Sequence, residues 1–124
     1  MTKGEIAKLN FESGLNCAQA VVLAFKDEMG LSELELKKLI IGFGGGFARQ
    51  RLVCGAVSGM TMVLGYLNSD GNDKLAAYEI IKSACADVAA KTGSIICSEL
   101  KSTNKIPCGE ICKIVADVTA KYVK

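Results

Sequence analysis

The sequence predicts an all-α fold, a single compact domain of five or six helices with a glycine-rich loop before the central helix. Apolar residues recur at spacings of three and four along most of the chain, which is the period of an amphipathic helix. Residue types that begin and end helices separate these stretches, and the 124 residues include only one proline. The length suits one helical domain over residues 1–124, because a chain of this size buries enough surface to fold without disulfides.

The first two helices have recognisable boundaries. A short helix carries apolar residues at positions 6, 9 and 11 and ends before Gly14. Asn16 is a good N-cap for the next helix, over 17–29, and Gly30 is expected to end it.

The third helix begins at a capping box, in which Glu35 follows Ser32 by three residues. It is expected to continue through Leu36, Leu39 and Ile40, and its end is open as far as Phe43. The run from Gly42 to Phe47 then places four glycines in six residues. No ordinary helix interior tolerates so many glycines, so this run is predicted to be a loop.

Further helices follow the loop. Gly59 and Gly65 in the first of them predict close packing against another backbone. Asn72 or Asp73 caps the longest one, and Pro107 suits the first turn of the last. The predicted ranges are 55–67, 74–91, a short helix near residue 97, and 108–122.

The composition excludes several kinds of chemistry. The chain has six cysteines and neither histidine nor tryptophan. Without histidine there is no Ser-His-Asp or Cys-His catalytic pair, no histidine zinc ligand and no C-x-x-C-H haem attachment. The chemistry of this protein is therefore expected to be that of its thiols.

Charge and hydropathy limit the partners and the compartment. The net charge of +2 is spread evenly, without a basic block, so we expect no nucleic acid. The nearly uncharged stretch 52–69 is too short in its most apolar part to span a bilayer, and the first five residues lack the apolar segment of a secretory signal. We expect a cytoplasmic protein with no membrane partner, in which thiols stay reduced.

The cysteines form no C-x-x-C pair, and four of the six share one kind of position. Cys17, Cys54, Cys97 and Cys108 each fall near a predicted helix N-terminus, where the helix dipole and free N–H groups stabilise a thiolate. Cys85 lies in the middle of a helix on an apolar stripe and is expected in the core. A packing role stays open for the others too, since cysteine is among the most buried residue types.

The glycine-rich loop has the pattern G-x-G-x-G, and Phe47 stands where a dinucleotide-binding G-x-G-x-x-G needs its last glycine. No nucleotide is therefore expected. The loop is either a tightly packed turn or a set of N–H groups that bind cluster sulfides or an anion. Arg49 and Arg51 precede Cys54; they either lower the pKa of its thiol, meet an anionic substrate, or are solvated surface residues.

Three segments resemble the redox-active family named C_GCAxxG_C_C: 16–21, 43–49, and 54–59, which reads C-G-A-V-S-G. The similarity covers roughly residues 6–124. It implies a helical domain with four characteristic cysteines, of which the later pair falls on Cys97 and Cys112. The chain is also distantly similar to the non-haem part of split-Soret-type cytochromes. The absence of histidine leaves no haem in that comparison, only the iron–sulfur centre.

The resemblance leads to a first hypothesis, an iron–sulfur cluster or other metal used for electron transfer. The ligands would be Cys17, Cys54, Cys97 and Cys112, with Cys108 as an auxiliary or substitute, because four thiolates suffice for such a cluster. Four glycines would line or support the cofactor: Gly44, Gly45, Gly46 and Gly55.

Two other functions stay open. In a thiol–disulfide protein, Cys54 or Cys17 would be the catalytic thiolate and a second cysteine would resolve the mixed disulfide. In an interaction module, four cysteines would bind structural zinc. The sequence does not decide whether the protein is an enzyme. We expect an unidentified redox partner protein, and a homodimer stays open.

Overall fold

The structure, a computed structural model, describes the backbone of residues 1–124 and every side chain except that of residue 104. The described part of the chain contains eight α-helices and no strand. A 3₁₀ turn over Ile41–Phe43 follows α4, and a π-helical turn over Leu100–Asn104 follows α7. The helices are α1 (Lys3–Glu12), α2 (Cys17–Leu23), α3 (Lys26–Met29), α4 (Glu33–Ile40), α5 (Gly55–Asn68), α6 (Lys74–Thr92), α7 (Cys97–Glu99) and α8 (Cys108–Tyr122).

Side-chain caps begin several of these helices, as the sequence predicts. The Asn16 carboxamide accepts from the N–H of Gln19, whose own side chain accepts from the N–H of Asn16. Ser32 and Glu35 form the same reciprocal pair at α4. Of the two candidate caps for α6, Asp73 is the N-cap. These helix starts depend on bonds between residues three apart, which is why local sequence identifies them.

The expected number of helices, five or six, is too low. The helix predicted over 17–29 divides into α2 and α3, because Phe25 leaves the helical conformation at φ −110° and ψ 16°. Its N–H bonds the carbonyl of Val22, three residues back, and its side chain is buried. The three-residue α7 is the short helix that the sequence predicts near residue 97.

The core is organised around α2, which is buried along most of its length. This helix packs against α1, α4, α5 and α8, while α6 covers α5 and α8. No helix in the described part of the chain is long and apolar enough to cross a membrane.

Gly59 brings the backbones of α2 and α5 together. A Cβ added to Gly59 would lie 2.9 Å from the Ala18 carbonyl oxygen and 3.2 Å from a Val22 methyl group, so the predicted close packing is confirmed there. The same prediction is wrong for Gly65, where an added Cβ would meet no atom of the described residues within 4 Å. Gly65 lies further along α5, beyond the crossing with α2.

Candidate functional site

The structure brings four cysteines to one small cavity. Cys17, Cys54, Cys97 and Cys108 line a partly open space of about 30 Å³, and Gly45 contributes to its wall. This volume suffices for an occupant the size of water. The six cysteines are all free thiols.

Cys112 lies beneath this cavity rather than on its wall. It is fully buried on α8, one turn after Cys108, and its Sγ lies 3.9 Å from the carbonyl oxygen of Cys17. Its thiol is close enough to Cys17, Cys54 and Cys108 to interact with them electrostatically. Five of the six cysteines are therefore grouped together. Cys85, half-buried on α6, packs against the hydrophobic core as a helix-face residue.

Helix starts position the four cavity cysteines, in agreement with the sequence. Cys17, Cys97 and Cys108 are the first residues of α2, α7 and α8, and Cys54 is the N-cap of α5. Four helices thus direct their N-terminal ends towards one group of thiols.

An isolated antiparallel bridge between Val53 and Ile96 holds two of these thiols side by side. The N–H of Cys54 bonds the carbonyl of Ile95 at 2.8 Å, and the N–H of Cys97 bonds the carbonyl of Leu52 at 2.7 Å. Backbone bonds, not the cysteine side chains, therefore set the approach of the two segments.

Gly55 makes room for Cys17. A Cβ on Gly55 would lie 2.6 Å from the Cys17 Sγ and 2.7 Å from the Phe43 carbonyl oxygen. On the other side of Cys17, the Asn16 side chain donates to the Ile41 carbonyl at 3.0 Å and packs over Gly44, where a Cβ would lie 2.5 Å from its nitrogen. Asn16 and Cys17 are therefore packed between the glycine-rich loop and the first turn of α5.

The glycine-rich loop forms a left-handed turn. Five consecutive residues, 45–49, have φ between 53° and 77°, and Arg51 follows at 63°. A left-handed conformation costs roughly 1–2 kcal/mol for each residue with a side chain, and strain of this kind concentrates at functional sites. Backbone hydrogen bonds between residues several positions apart in sequence hold the turn. In one of them the Ala48 N–H donates to the Gly42 carbonyl at 2.8 Å. Gly44 and Gly46 are buried within it.

The cofactor-binding role expected of the four glycines stays a prediction. The structure places Gly45 on the cavity wall and Gly55 against the Cys17 sulfur, while Gly44 packs against Asn16. Gly46 is enclosed by the loop itself, because an added Cβ would lie 2.6 Å from the Leu52 nitrogen.

Burial controls the protonation of the two most enclosed thiols. It raises the pKa of Cys54 to about 12, although the N–H groups of Val57 and Ala56 at the start of α5 act in the opposite direction. Burial likewise raises the pKa of Cys112, and the neighbouring thiols, Cys17 first among them, add to the effect. The expectation of a low thiol pKa at the start of α5 is therefore wrong for Cys54, because loss of solvent outweighs the helix N-terminus.

Two basic side chains contact cavity sulfurs. Arg51 donates from Nη1 to the Sγ of Cys97 at 3.7 Å, and Lys101 donates from Nζ to the Sγ of Cys108 at 3.5 Å. Arg51 lies three residues before Cys54 in the sequence. The Arg51 guanidinium nevertheless contacts Cys97, on the other side of the backbone bridge. No sequence motif identifies Lys101, which lies in a turn seven residues before Cys108.

Cysteine thiols are suitable ligands for a soft metal, but in this structure they are too far apart to form a coordination site. Within the described residues, no group of three cysteine, aspartate or glutamate side chains is close enough together to hold a metal ion. Thiolates are nevertheless the ligands that iron–sulfur clusters and structural zinc prefer. Metal binding would therefore require the thiols to move closer together and to lose their protons.

Comparison with protein families decides what kind of protein carries this cysteine group. Residues 15–122 match the family model described as "Putative redox-active protein (C_GCAxxG_C_C)". The chain belongs to this C_GCAxxG_C_C family. No curated protein and no solved structure matches the chain.

The C_GCAxxG_C_C match spans every element that builds the cysteine group, from the residue before Asn16 to the end of α8. The structure also explains the glycines of the segment Cys54–Gly59. Gly55 accommodates the Cys17 sulfur and Gly59 accommodates the backbone of α2, one helical turn apart on the same face of α5.

Proposed function

We propose that this protein transfers electrons through an iron–sulfur cluster or another thiophilic metal. Cys17, Cys54, Cys97 and Cys112 would bind it, with Cys108 as the auxiliary ligand. The observation that carries the proposal is the grouping of five thiols, from helices distant in sequence, in a chain without histidine. A dithiol exchange needs only two thiols, whereas a cluster commonly needs four.

The surroundings support a group that carries negative charge on sulfur. Arg51 and Lys101 already donate to the sulfurs of Cys97 and Cys108, and hydrogen bonds to ligand sulfurs raise the potential of a bound cluster. The group, when bound, supplies a one-electron carrier. The protein contributes the ligands, a largely apolar shell formed by residues such as Leu100 and Ile111, and the cations.

Metal and sulfide analysis of protein purified without oxygen tests the proposal. We expect bound iron, acid-labile sulfide and absorption in the visible region. Replacing any one of the four proposed ligands by serine should lower the iron content severalfold, because each supplies a bond to the metal. Cys85→Ser is the matched control and should retain the iron.

The outcomes separate the remaining functions. Colourless protein without iron or zinc would reject the metal site. Stoichiometric zinc without iron, with unfolding on chelation, would instead indicate a structural zinc module. A Cys108→Ser variant that loses as much iron as Cys112→Ser would show that Cys108 is a full ligand.

A thiol–disulfide protein is the second candidate, and the exposure of two thiols favours it. Cys17 and Cys108 are half-buried, and both line the open cleft beside the cavity, whereas Cys54 is buried with a raised pKa. In this alternative, Cys17 rather than Cys54 attacks an oxidised substrate and Cys108 resolves the mixed disulfide. Mass spectrometry after mild oxidation should show one Cys17–Cys108 disulfide that a dithiol reverses. Scattered pairing would reject the alternative.

Either function suits a reducing compartment. We propose a cytoplasmic location, which the six unpaired thiols support, because glutathione and thioredoxin keep such thiols reduced there.

A further inference from the structure

A wide cleft opens beside the cysteine cavity. Its volume is about 480 Å³, within the range typical of small-molecule sites. Cys17, Gly45, Lys101 and Cys108 line both the cleft and the cavity, so an occupant of the cleft would lie against the two half-buried thiols.

The cleft gathers positive charge. Arg49, Arg51 and Lys101 all line it, and they come from two segments that are far apart in sequence. Among the described residues, none of the three forms an ion pair, although six ion pairs occur elsewhere on the molecule. No carboxylate is present among the described residues that line the cleft. Three cations without a carboxylate partner repel one another and attract an anion.

The loop backbone adds to this environment. Arg49 and Arg51 are held at φ 65° and 63°, conformations that side-chain-bearing residues rarely adopt. Beside them, the backbone N–H of Gly45 donates to no acceptor among the residues that the structure describes. Guanidinium groups and free N–H groups are the donors that bind sulfate and phosphate oxygens.

We propose that this cleft binds a small molecule that carries two or more negative charges on a sulfate- or phosphate-type group, next to Cys17 and Cys108. The concave shape favours a small ligand over the flat acidic surface of another protein. The inference goes beyond the proposed function, because it names the ligand class of the cleft whether the thiols hold a metal or exchange disulfides.

Alkylation of the reduced chain, before any metal is added, tests the inference. Iodoacetamide would be applied with sodium sulfate or phosphate, and with sodium chloride at equal ionic strength, and the modification of each cysteine followed by mass spectrometry. We expect sulfate and phosphate to slow alkylation of Cys17 and Cys108 severalfold at millimolar concentration. Cys85 is also half-buried but does not line the cleft, so its rate of alkylation should not change. Acetate, with a single charge, should protect weakly.

Two variants and a matched control sharpen the test. Arg49→Gln and Lys101→Gln should each raise the half-protecting sulfate concentration about tenfold, because each substitution removes a charged hydrogen-bond donor to the anion. Lys82→Gln removes an exposed charge from α6 and should leave that concentration unchanged. Circular dichroism would confirm that each variant is folded, and the second cleft variant serves if the first is not.

Specific outcomes would overturn the inference. One is that chloride slows the alkylation of Cys17 and Cys108 as much as sulfate does. Another is that sulfate slows the alkylation of Cys85 equally. The third is that Arg49→Gln and Lys101→Gln both leave the protection by sulfate unaltered. The result is independent of the metal analysis. Iron-free protein that still binds sulfate rejects only the proposed function. A chain that binds iron, but whose thiols sulfate does not protect in the metal-free form, rejects only this inference.

Discussion

The sulfur of Cys17 lies against the backbone of Gly55, so closely that a Cβ at position 55 would stand 2.6 Å from it. This contact joins the start of α2 to the start of α5 and places the first cysteine of the chain beside Cys54. It also explains why the residue after Cys54 is a glycine. Any side chain at position 55 would displace either the Cys17 sulfur or the glycine-rich loop, whose Phe43 carbonyl lies 2.7 Å from the same point.

Gly55→Ala should therefore disturb the cysteine group. We expect the free energy of unfolding in urea to fall by ~1–3 kcal/mol, as for other overpacked sites, and the iron content of anaerobically purified protein to fall as well. Gly65→Ala is the control on the same helix, where an added Cβ meets nothing within 4 Å. It should be neutral or stabilising by up to ~1 kcal/mol, because alanine favours the helix. Equal effects of the two variants would contradict the role assigned to Gly55.

Gly59→Ala should separate helix packing from the thiols. Its Cβ would press on the Ala18 carbonyl, which is backbone and cannot rotate away. We expect a loss of ~1–3 kcal/mol in unfolding free energy, because α2 and α5 must move apart. The apparent Tm from circular dichroism would measure the change. A variant as stable as the parent chain would show that the α2–α5 crossing tolerates a methyl group.

Ala48→Gly should stabilise the protein. Ala48 lies in the left-handed turn at φ 53°, a conformation that costs a residue with a side chain roughly 1–2 kcal/mol and that glycine adopts freely. Part of that gain is offset by the greater entropy of glycine in the unfolded chain, so we expect a net increase of up to ~1 kcal/mol in urea. Ala86→Gly, at an exposed position inside α6, should instead lose ~1 kcal/mol. The opposite signs are the expected signature, and a loss in both variants would argue against strain in the loop.

Asp87 should make stability depend on acid pH. Its carboxylate accepts from Lys91 and from Lys121, the latter at 2.6 Å, and so joins α6 to α8. The hydrogen bonds from Lys121 and then Lys91 lower the pKa of Asp87 to about 2, below the unfolded value of ~3.9. Because the folded pKa is the lower one, the stabilisation is present above pH ~4 and is lost as the pH falls towards 2.

Urea unfolding at pH 6 and pH 3 compares Asp87→Asn with the parent chain. The variant should be less stable at pH 6, and the difference should shrink at pH 3. Asp27→Asn, which removes an exposed carboxylate with no ion pair among the described residues, controls for the change in net charge. A difference that is constant with pH would contradict the ionic role of Asp87.

Local sequence determined most helix boundaries in this protein. Asn16 and Ser32 cap their helices by bonding residues three positions later, and Gly30 ends α3 in the left-handed conformation. The last helix, Cys108–Tyr122, has the bounds that its sequence predicts. Such signals are legible because cap and helix end interact within one turn of chain. The break at Phe25 has no such signal, since a buried aromatic side chain and not a glycine or proline marks it.

The sequence by itself determined an all-α chain with cysteines at four helix starts. Only the tertiary structure decided that these thiols meet around one cavity with Cys112 beneath them, that Cys54 is too buried to form a thiolate readily, and that Lys101 faces Cys108. The physical reason is the range of the interactions. A helix cap acts over three residues. The bridge from Val53 to Ile96 and the contact of Cys17 with Gly55 instead join segments about forty residues apart. The burial of each thiol depends in turn on every element that packs around the site.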